Sequence, residues 1–287
     1  MIIDIHNHPD WYGYNLERFL KNMDSLNIDV TWLLSWETPA DEYDPSYYRV
    51  LPRQDGSESP IPFSVCLPYI EKAPERFVLG YAPDPRRADA IDKLEAAISI
   101  YGVRVYGEMK LRMMYDNPDA LRMFRFCGEK NLPVIVHIDY EFDTGVKYPR
   151  RNWWYGGGID AFERAVRACP ETTFLGHAPG FWAHISGDDK FDKDPYPTGK
   201  VMAGGKISEM LRKYPNLYCD TSGGSGFNAL SRDPEFTKDW LIEFQDRVLY
   251  ARDDFDNHHQ PFLNELGLPE EVLTKIYSGN ALKMVPL

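Results

Sequence analysis

Two histidines separated by a single residue, His6 and His8, follow the first apolar run of the chain. That run, residues 1–5, reads Met-Ile-Ile-Asp-Ile and predicts a buried strand. Side chains at positions i and i+2 of a strand point to the same side, so the two imidazoles should converge on one point. Histidine is the commonest side-chain metal ligand, and the pair therefore indicates part of a metal site. Because short motifs also arise by chance, the rest of the chain has to support this interpretation.

Composition disfavours several classes of function. The chain has 287 residues, of which 43% are hydrophobic and 14% aromatic, enough for a substantial core. Its net charge of −12 and the lack of a basic run disfavour nucleic-acid binding, since phosphate contacts need clustered Lys and Arg. No apolar run approaches the length of a membrane span.

The cysteines indicate the cellular compartment. They are far apart and show no C-x-x-C spacing, which predicts reduced, mostly buried thiols in an intracellular protein. The N-terminus enters a strand directly, without the basic stretch of a signal peptide, so we expect a cytoplasmic protein. The four are Cys66, Cys127, Cys169 and Cys219.

Strand-like and helix-like segments alternate along the whole chain, and eight strands alternating with helices predict a (β/α)8 TIM barrel. The alternative, a doubly wound open sheet, would need a Gly-rich first turn where this chain has His-Asn-His-Pro. No linker separates two cores, so residues 1–287 are interpreted as one domain. The predicted strands are residues 1–5, 28–36, 76–82, 103–111, 133–138, 173–177, 217–220 and 247–253. The predicted helices are residues 15–27, 65–73, 88–100, 117–130, 159–168, 206–213 and 233–245, with a last helical segment from residue 269 to residue 283.

Polar residues stand at the predicted strand ends, where a TIM barrel places its active site. His137 ends the fifth strand, His177 ends the sixth and Asp253 ends the eighth, while Glu108 lies late in the fourth. A closed barrel brings all of these ends around one cavity. The three remaining histidines are interpreted as surface residues, although His184 could reach the rim. They are His184, His258 and His259.

Three imidazoles and one carboxylate suit Zn²⁺ and are tolerated by Mn²⁺ or Fe²⁺. Such a site can keep one position open for water and lower the pKa of that water from 15.7 to roughly 7. Asp253 could then accept the proton of the water and pass it to a leaving group. His177 could orient the water or donate a hydrogen bond to a substrate oxygen as negative charge develops.

In this order, these residues resemble the amidohydrolase superfamily, in the branch called amidohydrolase 2, over nearly the whole chain. The resemblance implies metal ligands at His6, His8, His137 and Asp253, a catalytic or substrate-contacting role for His177, and a barrel fold. It rests on residues 4–8 (Asp-Ile-His-Asn-His), 132–137 (Leu-Pro-Val-Ile-Val-His), 174–180 (Phe-Leu-Gly-His-Ala-Pro-Gly), 214–222 (Tyr-Pro-Asn-Leu-Tyr-Cys-Asp-Thr-Ser), 248–253 (Val-Leu-Tyr-Ala-Arg-Asp) and 276–281 (Ile-Tyr-Ser-Gly-Asn-Ala).

The first departure from the family pattern lies before the strand-8 aspartate. The family usually has small residues there, where this chain has Ala251 and Arg252. Asp254 follows directly, so it could in principle be the ligand, but the alignment favours Asp253.

The second departure is Glu108, which is followed by Lys110. Alternation places Glu108 on the face opposite Val103 and Val105. Some superfamily members bridge two metals with a group on strand 4, so Glu108 could be a bridging ligand. It could instead support another ligand or contact substrate, and we expect a single metal.

Two reactions follow from the resemblance. The first is metal-dependent hydrolysis of a small amide, ester or lactone. The second is a lyase reaction, non-oxidative decarboxylation or hydration of an unsaturated or aromatic acid, in which a cation would bind the substrate carboxylate. A barrel that binds ligand without turnover is the third possibility. The candidate cations are Arg104, Lys110, Arg150 and Arg151.

The expected partner is a small-molecule substrate, and the family analogy makes a homodimer plausible. Specificity is expected in four predicted loops, which composition alone does not match to a ligand. They are residues 37–62, 139–158, 186–199 and 223–232.

Overall fold

Eight parallel strands, one at each predicted place, form the centre of the fold. A computed structural model describes residues 1–42, 50–51, 59–140 and 154–287. All neighbouring strands pair in parallel, in the orders β1-β2-β3 and β4-β5-β6-β7-β8. The strands are β1 (Ile3–Asn7), β2 (Val30–Leu33), β3 (Phe77–Leu79), β4 (Tyr106–Met109), β5 (Val134–His137), β6 (Phe174–His177), β7 (Leu217–Asp220) and β8 (Val248–Leu249).

Backbone hydrogen bonds join the two groups of strands at both of their edges. Tyr81 N donates to Val105 O at 3.0 Å and connects β3 to β4. Ile5 N donates to Tyr250 O at 3.1 Å and connects β1 to the residue that follows β8. The strands therefore follow one another around a ring, and the predicted TIM barrel is confirmed.

Helices cover the outside of this ring, most of them within two residues of their predicted bounds. Asn117 begins α4 as predicted, because its side chain accepts a hydrogen bond from Asp119 N at 2.9 Å. The last predicted helix is divided by a π-helical turn, Lys275–Gly279, into α11 and α12. The helices are α1 (Leu16–Ser25), α2 (Phe63–Lys72), α3 (Ala90–Tyr101), α4 (Pro118–Glu129), α5 (Ile159–Ala168), α6 (Pro179–Trp182), α7 (Lys206–Lys213), α8 (Gly223–Ser231), α9 (Pro234–Glu243), α10 (His259–Glu265), α11 (Glu270–Thr274) and α12 (Asn280–Met284).

The apolar core has two layers, which follow from the alternation of side chains along each strand. The outer layer lies between strands and helices and is the larger one. The inner layer, called the inner cluster below, fills the ring itself. Its strand-side members are Ile3, Ile5, Val30, Trp32, Leu34, Val78, Val105, Ile135, Leu175, Leu249 and Ala251.

One predicted loop is wrong. Residues 223–232 are predicted as a loop, yet most of this segment forms α8. A Cβ atom at Gly226 would lie 2.0 Å from Thr221 O, so this glycine permits a close packing contact at the start of the helix. Packing outweighs the low helix propensity of glycine here.

All four cysteines are buried and free, as predicted. Within the described ranges, no helix has the length and apolar character needed to cross a bilayer.

Candidate metal centre

The end of β1 does not follow simple alternation. Ile5 belongs to the inner cluster, so strict alternation would point His6 and His8 out of the barrel. Between Asp4 and Asn7, however, the register of β1 against β2 shifts. This bulge adds a residue to β1 and turns both histidines towards the barrel axis.

A similar register shift, in β4, changes the direction in which Glu108 points. The expectation that Val103 and Val105 share a face opposite Glu108 is wrong, because Val103 packs in the outer layer and Val105 in the inner cluster. The register of β4 against β5 shifts between Tyr106 and Met109. Glu108 therefore reaches the interior on the same side as Val105.

Four predicted ligand candidates converge at the carboxyl end of the barrel. His8 Nε2 lies 3.4 Å from Asp253 Oδ1 and 3.4 Å from Glu108 Oε2. His6 Nε2 lies 3.9 Å from each of the same two oxygens. His6, His8 and Asp253 each offer one ligand atom within 4.8 Å of the others. That these groups bind a metal remains a prediction, and their spacing suits one.

The other ring nitrogen of each β1 histidine is held by an acceptor. His6 Nδ1 donates to Asp220 Oδ2 at 2.6 Å, and His8 Nδ1 donates to Leu34 O at 2.9 Å. A proton fixed on Nδ1 orients each ring and leaves Nε2 to face the centre of the site. Asp220 was not among the predicted site residues, although it ends β7 within the quoted Tyr-Cys-Asp-Thr-Ser segment.

His137 and His177 lie beside this group, with ring centroids 5.1 Å apart. His137 Nδ1 donates to Glu108 Oε1 at 2.7 Å. Within the described part of the chain, His137 is not part of the three-residue groups that lie close enough to share an ion. Its role as a ligand stays a prediction. His177 joins one such group, with His6 and Glu108, so the structure makes it a further ligand candidate besides its predicted catalytic role.

His177 is oriented by a residue that the sequence reasoning missed. Its Nδ1 shares a hydrogen bond of 2.8 Å with Ser222 Oγ, and its Nε2 lies 3.8 Å from Asp253 Oδ2. Ser222 also stands in the quoted motif after β7, without a signal that would have assigned it to His177. The hydrogen bond to Ser222 orients the His177 ring so that its Nε2 faces the second carboxylate oxygen of Asp253.

Electrostatics favour a cation at this place. Burial lowers the pKa of the His6 imidazole, but the neighbouring carboxylates, Asp220 foremost, outweigh burial and raise it to about 10. Burial raises the pKa of Asp253, and His6 and His8 act against that rise. Burial keeps the pKa of His177 well below its ordinary value, so His177 is neutral. The carboxylates of Asp220, Asp253 and Glu108 make the potential around His6 negative, and a proton or a metal ion at His6 Nε2 would offset it.

The residues fit a divalent metal ion. Among the described residues, several buried side-chain atoms at this point have no hydrogen-bond partner, which is rare for buried polar groups. Imidazole nitrogen and carboxylate oxygen are the donors that Zn²⁺ and Mn²⁺ take. The atoms are His6 Nε2, His137 Nε2, His177 Nε2 and Asp253 Oδ1.

The structure separates the two adjacent aspartates. Asp253, with a left-handed φ of 54°, lies against the histidines, and its choice as the ligand stays a prediction. Asp254 lines the cavity that Asp253 and the histidines also line, and its Oδ1 accepts a hydrogen bond from Asp256 N at 3.0 Å. Burial and the neighbouring Asp253 raise the pKa of Asp254 to about 7.

Two of the histidines assigned to the surface are buried, so that interpretation is wrong for them. His184 and Tyr140 share a hydrogen bond of 2.6 Å, and His259 Nε2 donates to Thr221 O at 2.8 Å. Both contacts involve partners that are distant in sequence, which no local pattern reveals. His258 is exposed, as predicted.

Several solved structures share this fold along almost the full length of both chains. An uncharacterised TIM-barrel protein from Bordetella bronchiseptica is 15% identical, with a TM-score of 0.64, and the match covers 99% of this chain and 98% of that one. A dihydroxybenzoic acid decarboxylase from Polaromonas sp. JS666, with bound manganese and the inhibitor 2-nitroresorcinol, is 17% identical, with a TM-score of 0.61 and coverage of 99% and 96%.

A protein from Pseudomonas putida, named as a candidate 2-pyrone-4,6-dicarboxylic acid hydrolase, is 13% identical. Its TM-score is 0.59, and the match covers 99% of this chain and 96% of that one. Identities this low show a common fold and no more. No curated protein matches the chain in sequence.

The sequence model of the amidohydrolase family matches residues 66–287. The matched part contains His137, His177 and Asp253 and leaves out β1, whose His6 and His8 the fold brings to Asp253. Because the match spans more than half of the chain, the protein belongs to the amidohydrolase family.

Proposed function

We propose that the protein is a metal-dependent hydrolase that cleaves an amide, ester or lactone bond in a small molecule. The position of the Asp253 carboxylate carries this proposal. Its Oδ1 faces His6 and His8, while its Oδ2 lies 3.8 Å from His177 Nε2. One carboxylate can therefore belong to the metal site and also exchange a proton on the side of the substrate.

The proposed ion is divalent, with zinc first and manganese as the alternative. His6, His8 and Asp253 would hold it, with His137 as the further predicted ligand and Glu108 beside them. When bound, such an ion supplies positive charge that polarises a substrate carbonyl and acidifies water. The bound manganese of the Polaromonas neighbour supports a divalent ion in this fold.

Asp253 is the proposed general base and acid. It takes a proton from the attacking water as the new carbon–oxygen bond forms, and it gives that proton to the leaving nitrogen or oxygen as the old bond breaks. The Asp253 side chain keeps 20% of its surface exposed, so water can reach it. His177, neutral and held by Ser222, is placed to contact the substrate oxygen or the same water.

The cavity above these groups has a volume of about 200 Å³. Since pockets for drug-sized ligands measure about 300–1,000 Å³, this volume suits a compact substrate. Trp11 and Trp36 line it and exclude water from part of its wall. Lys110 lines it as well, is almost completely buried, and holds its Nζ 4.4 Å from the centre of the Trp36 ring. Its positive charge would stabilise negative charge on a substrate oxygen.

Decarboxylation is the second candidate. Of the cations predicted to hold a substrate carboxylate, Lys110 lies in the cavity, whereas Arg104 bonds to Pro286 O elsewhere. Arg150 and Arg151 fall outside the described residues. A decarboxylase among the structural neighbours also supports this candidate, as does the aromatic wall of the cavity.

A panel of small lactones, esters, amides and carboxylic acids, incubated in ¹⁸O-labelled water, tests the proposal. Hydrolysis should place one labelled oxygen in a new acid without loss of carbon. Release of CO₂ with no label in the remaining product would move the assignment to the second candidate. Turnover of no compound by metal-loaded protein would favour a binding function.

A further inference from the structure

The segment that carries Asp253 lies beyond the end of a short strand. β8 pairs with β7 through Val248 and Leu249 alone. After that point a side chain takes the place of a strand partner, because Ala251 N donates to Thr221 Oγ1 at 3.0 Å. Single backbone bonds join the segment to β1, from Ile5 N to Tyr250 O at 3.1 Å and from Asp253 N to His6 O at 2.9 Å, and side-chain contacts supply the rest of its support.

Asp4 makes two of these side-chain contacts. Its Oδ1 accepts from the Arg252 backbone N at 3.0 Å, and its Oδ2 accepts from Arg252 Nε at 2.8 Å. Asp4 Oδ1 also accepts from His6 N at 3.3 Å. One carboxylate on β1 thus holds both the residue before Asp253 and the backbone of a ligand candidate.

Arg252 extends this connection to the outer layer. Its Nη1 donates to Asn22 Oδ1 of α1 at 2.7 Å, and its carbonyl accepts from Gly223 N at 2.7 Å. Asp4 and Arg252 are both completely buried. In a buried pair the charges are screened little by solvent, so the geometry is held firmly.

We propose that Asp4 and Arg252 form a clamp between β1 and the segment after β8. This Asp4–Arg252 clamp sets the distance between the two β1 histidines and Asp253, and through that distance it sets the affinity of the site for its metal. Arg252 is thus a positioning residue in this chain, at a place where the family usually has a small side chain. The inference rests on the proposed metal site.

A purely structural ion pair would behave differently from a positioning clamp. Loss of a structural pair lowers stability and leaves the folded protein with the same metal affinity. Loss of the clamp lets Asp253 move relative to His6 and His8, so the folded protein binds metal more weakly. Supporting residues outside the direct ligands typically change metal affinity by about 10–100-fold.

The test compares Arg252→Met with Arg76→Met in the folded proteins. Arg76, before β3 at the other end of the barrel, also bonds to a carboxylate and to backbone carbonyls. Zinc affinity is measured by competition with a chromogenic chelator. Arg252→Met should bind zinc at least about 10-fold more weakly, and Arg76→Met should bind within about twofold of the native protein. Arg252→Lys, which keeps the charge and loses the fork of donors, should fall between them.

The visible spectrum of the cobalt-substituted protein gives a second readout, because its bands report the geometry of the ligands. At saturating cobalt the spectrum of Arg252→Met should differ from the native one. If Arg252→Met does not fold, Asp4→Asn replaces it in both measurements. An unchanged affinity and spectrum in the folded variant would overturn the clamp. Failure of the native protein to bind any metal would instead overturn the proposed function.

Discussion

The two ends of the barrel each hold a cavity, and the larger one is at the end without the candidate site. The amino end has a cavity of about 480 Å³, lined by residues such as Asn280 and Lys283, against about 200 Å³ at the carboxyl end. The difference lies in how buried polar atoms are paired. At the amino end, Asn280 donates to Gln245 O and Val248 O, each at 2.8 Å.

At the carboxyl end, by contrast, ring nitrogens of three histidines and one oxygen of Asp253 converge without hydrogen-bond partners. Among the described residues that line the amino-end cavity, Asn280 Oδ1 is the one such atom. Convergence of unpaired lone-pair atoms, and not the size of the cavity, therefore distinguishes the candidate site. This agrees with the rule that the carboxyl end of such a barrel carries function and the amino end stability.

The largest expected effect comes from removing a ligand. His8→Gln should lower metal affinity by more than about 100-fold, since even supporting residues change it by about 10–100-fold. Elemental analysis after dialysis checks this. The metal-free variant should remain folded by circular dichroism, because the hydrogen bond it alters is one to Leu34 O. A variant that keeps a full complement of metal would refute the assignment of His8.

Asp253→Asn should lower kcat by about 100–10,000-fold, the usual contribution of a general base or acid, while part of the metal is retained. Steady-state kinetics on the substrate found in the panel, together with metal content, measure both. Asp254→Asn, at the neighbouring position, should have the smaller effect. The reverse order would move the base to Asp254.

At the amino end, Asn280→Ala should lower the free energy of unfolding by about 1–3 kcal/mol, because the buried Val248 carbonyl and the partly buried Gln245 carbonyl lose their donor. Metal affinity and kcat/KM should stay unchanged. Urea denaturation measures the free energy of unfolding, and steady-state kinetics measure kcat/KM. Lys283→Ala, which lines the same cavity with an exposed side chain, is the control and should change neither quantity. A loss of activity in Asn280→Ala would show that the amino end also contributes to catalysis, against this prediction.

The smallest predicted effect concerns pH. Burial lowers the pKa of His259 to about 4. Below its ordinary pKa near 6.5, the unfolded chain binds a proton that the folded protein excludes, so stability falls as the pH is lowered towards 4. Between about pH 7.5 and pH 5.5, His259 should lower the free energy of unfolding by about 1 kcal/mol. Urea denaturation of metal-free protein should show a weaker pH dependence for His259→Gln, and an equal dependence would contradict this.

Local pattern was enough to predict the barrel and the rim of its site. Alternating apolar periods located the eight strands, and four histidines and an aspartate at strand ends indicated a metal site. The barrel and the grouping of these residues were predictable because strand length, helix periodicity and the position of a polar residue after an apolar run are properties of adjacent residues. Metal binding by the group stays a prediction.

Tertiary structure decided which way the key side chains point and what holds them. The register shifts that turn His6, His8 and Glu108 inward arise from pairing with β2 and β5, which the sequence of one strand does not encode. The same holds for the contact of Asp220 with His6 and of Ser222 with His177, whose partners lie more than 40 residues apart in sequence. Sequence alone determined the elements and the chemical types at their ends, while the closing of the ring decided the geometry, because only closure brings distant strands into register.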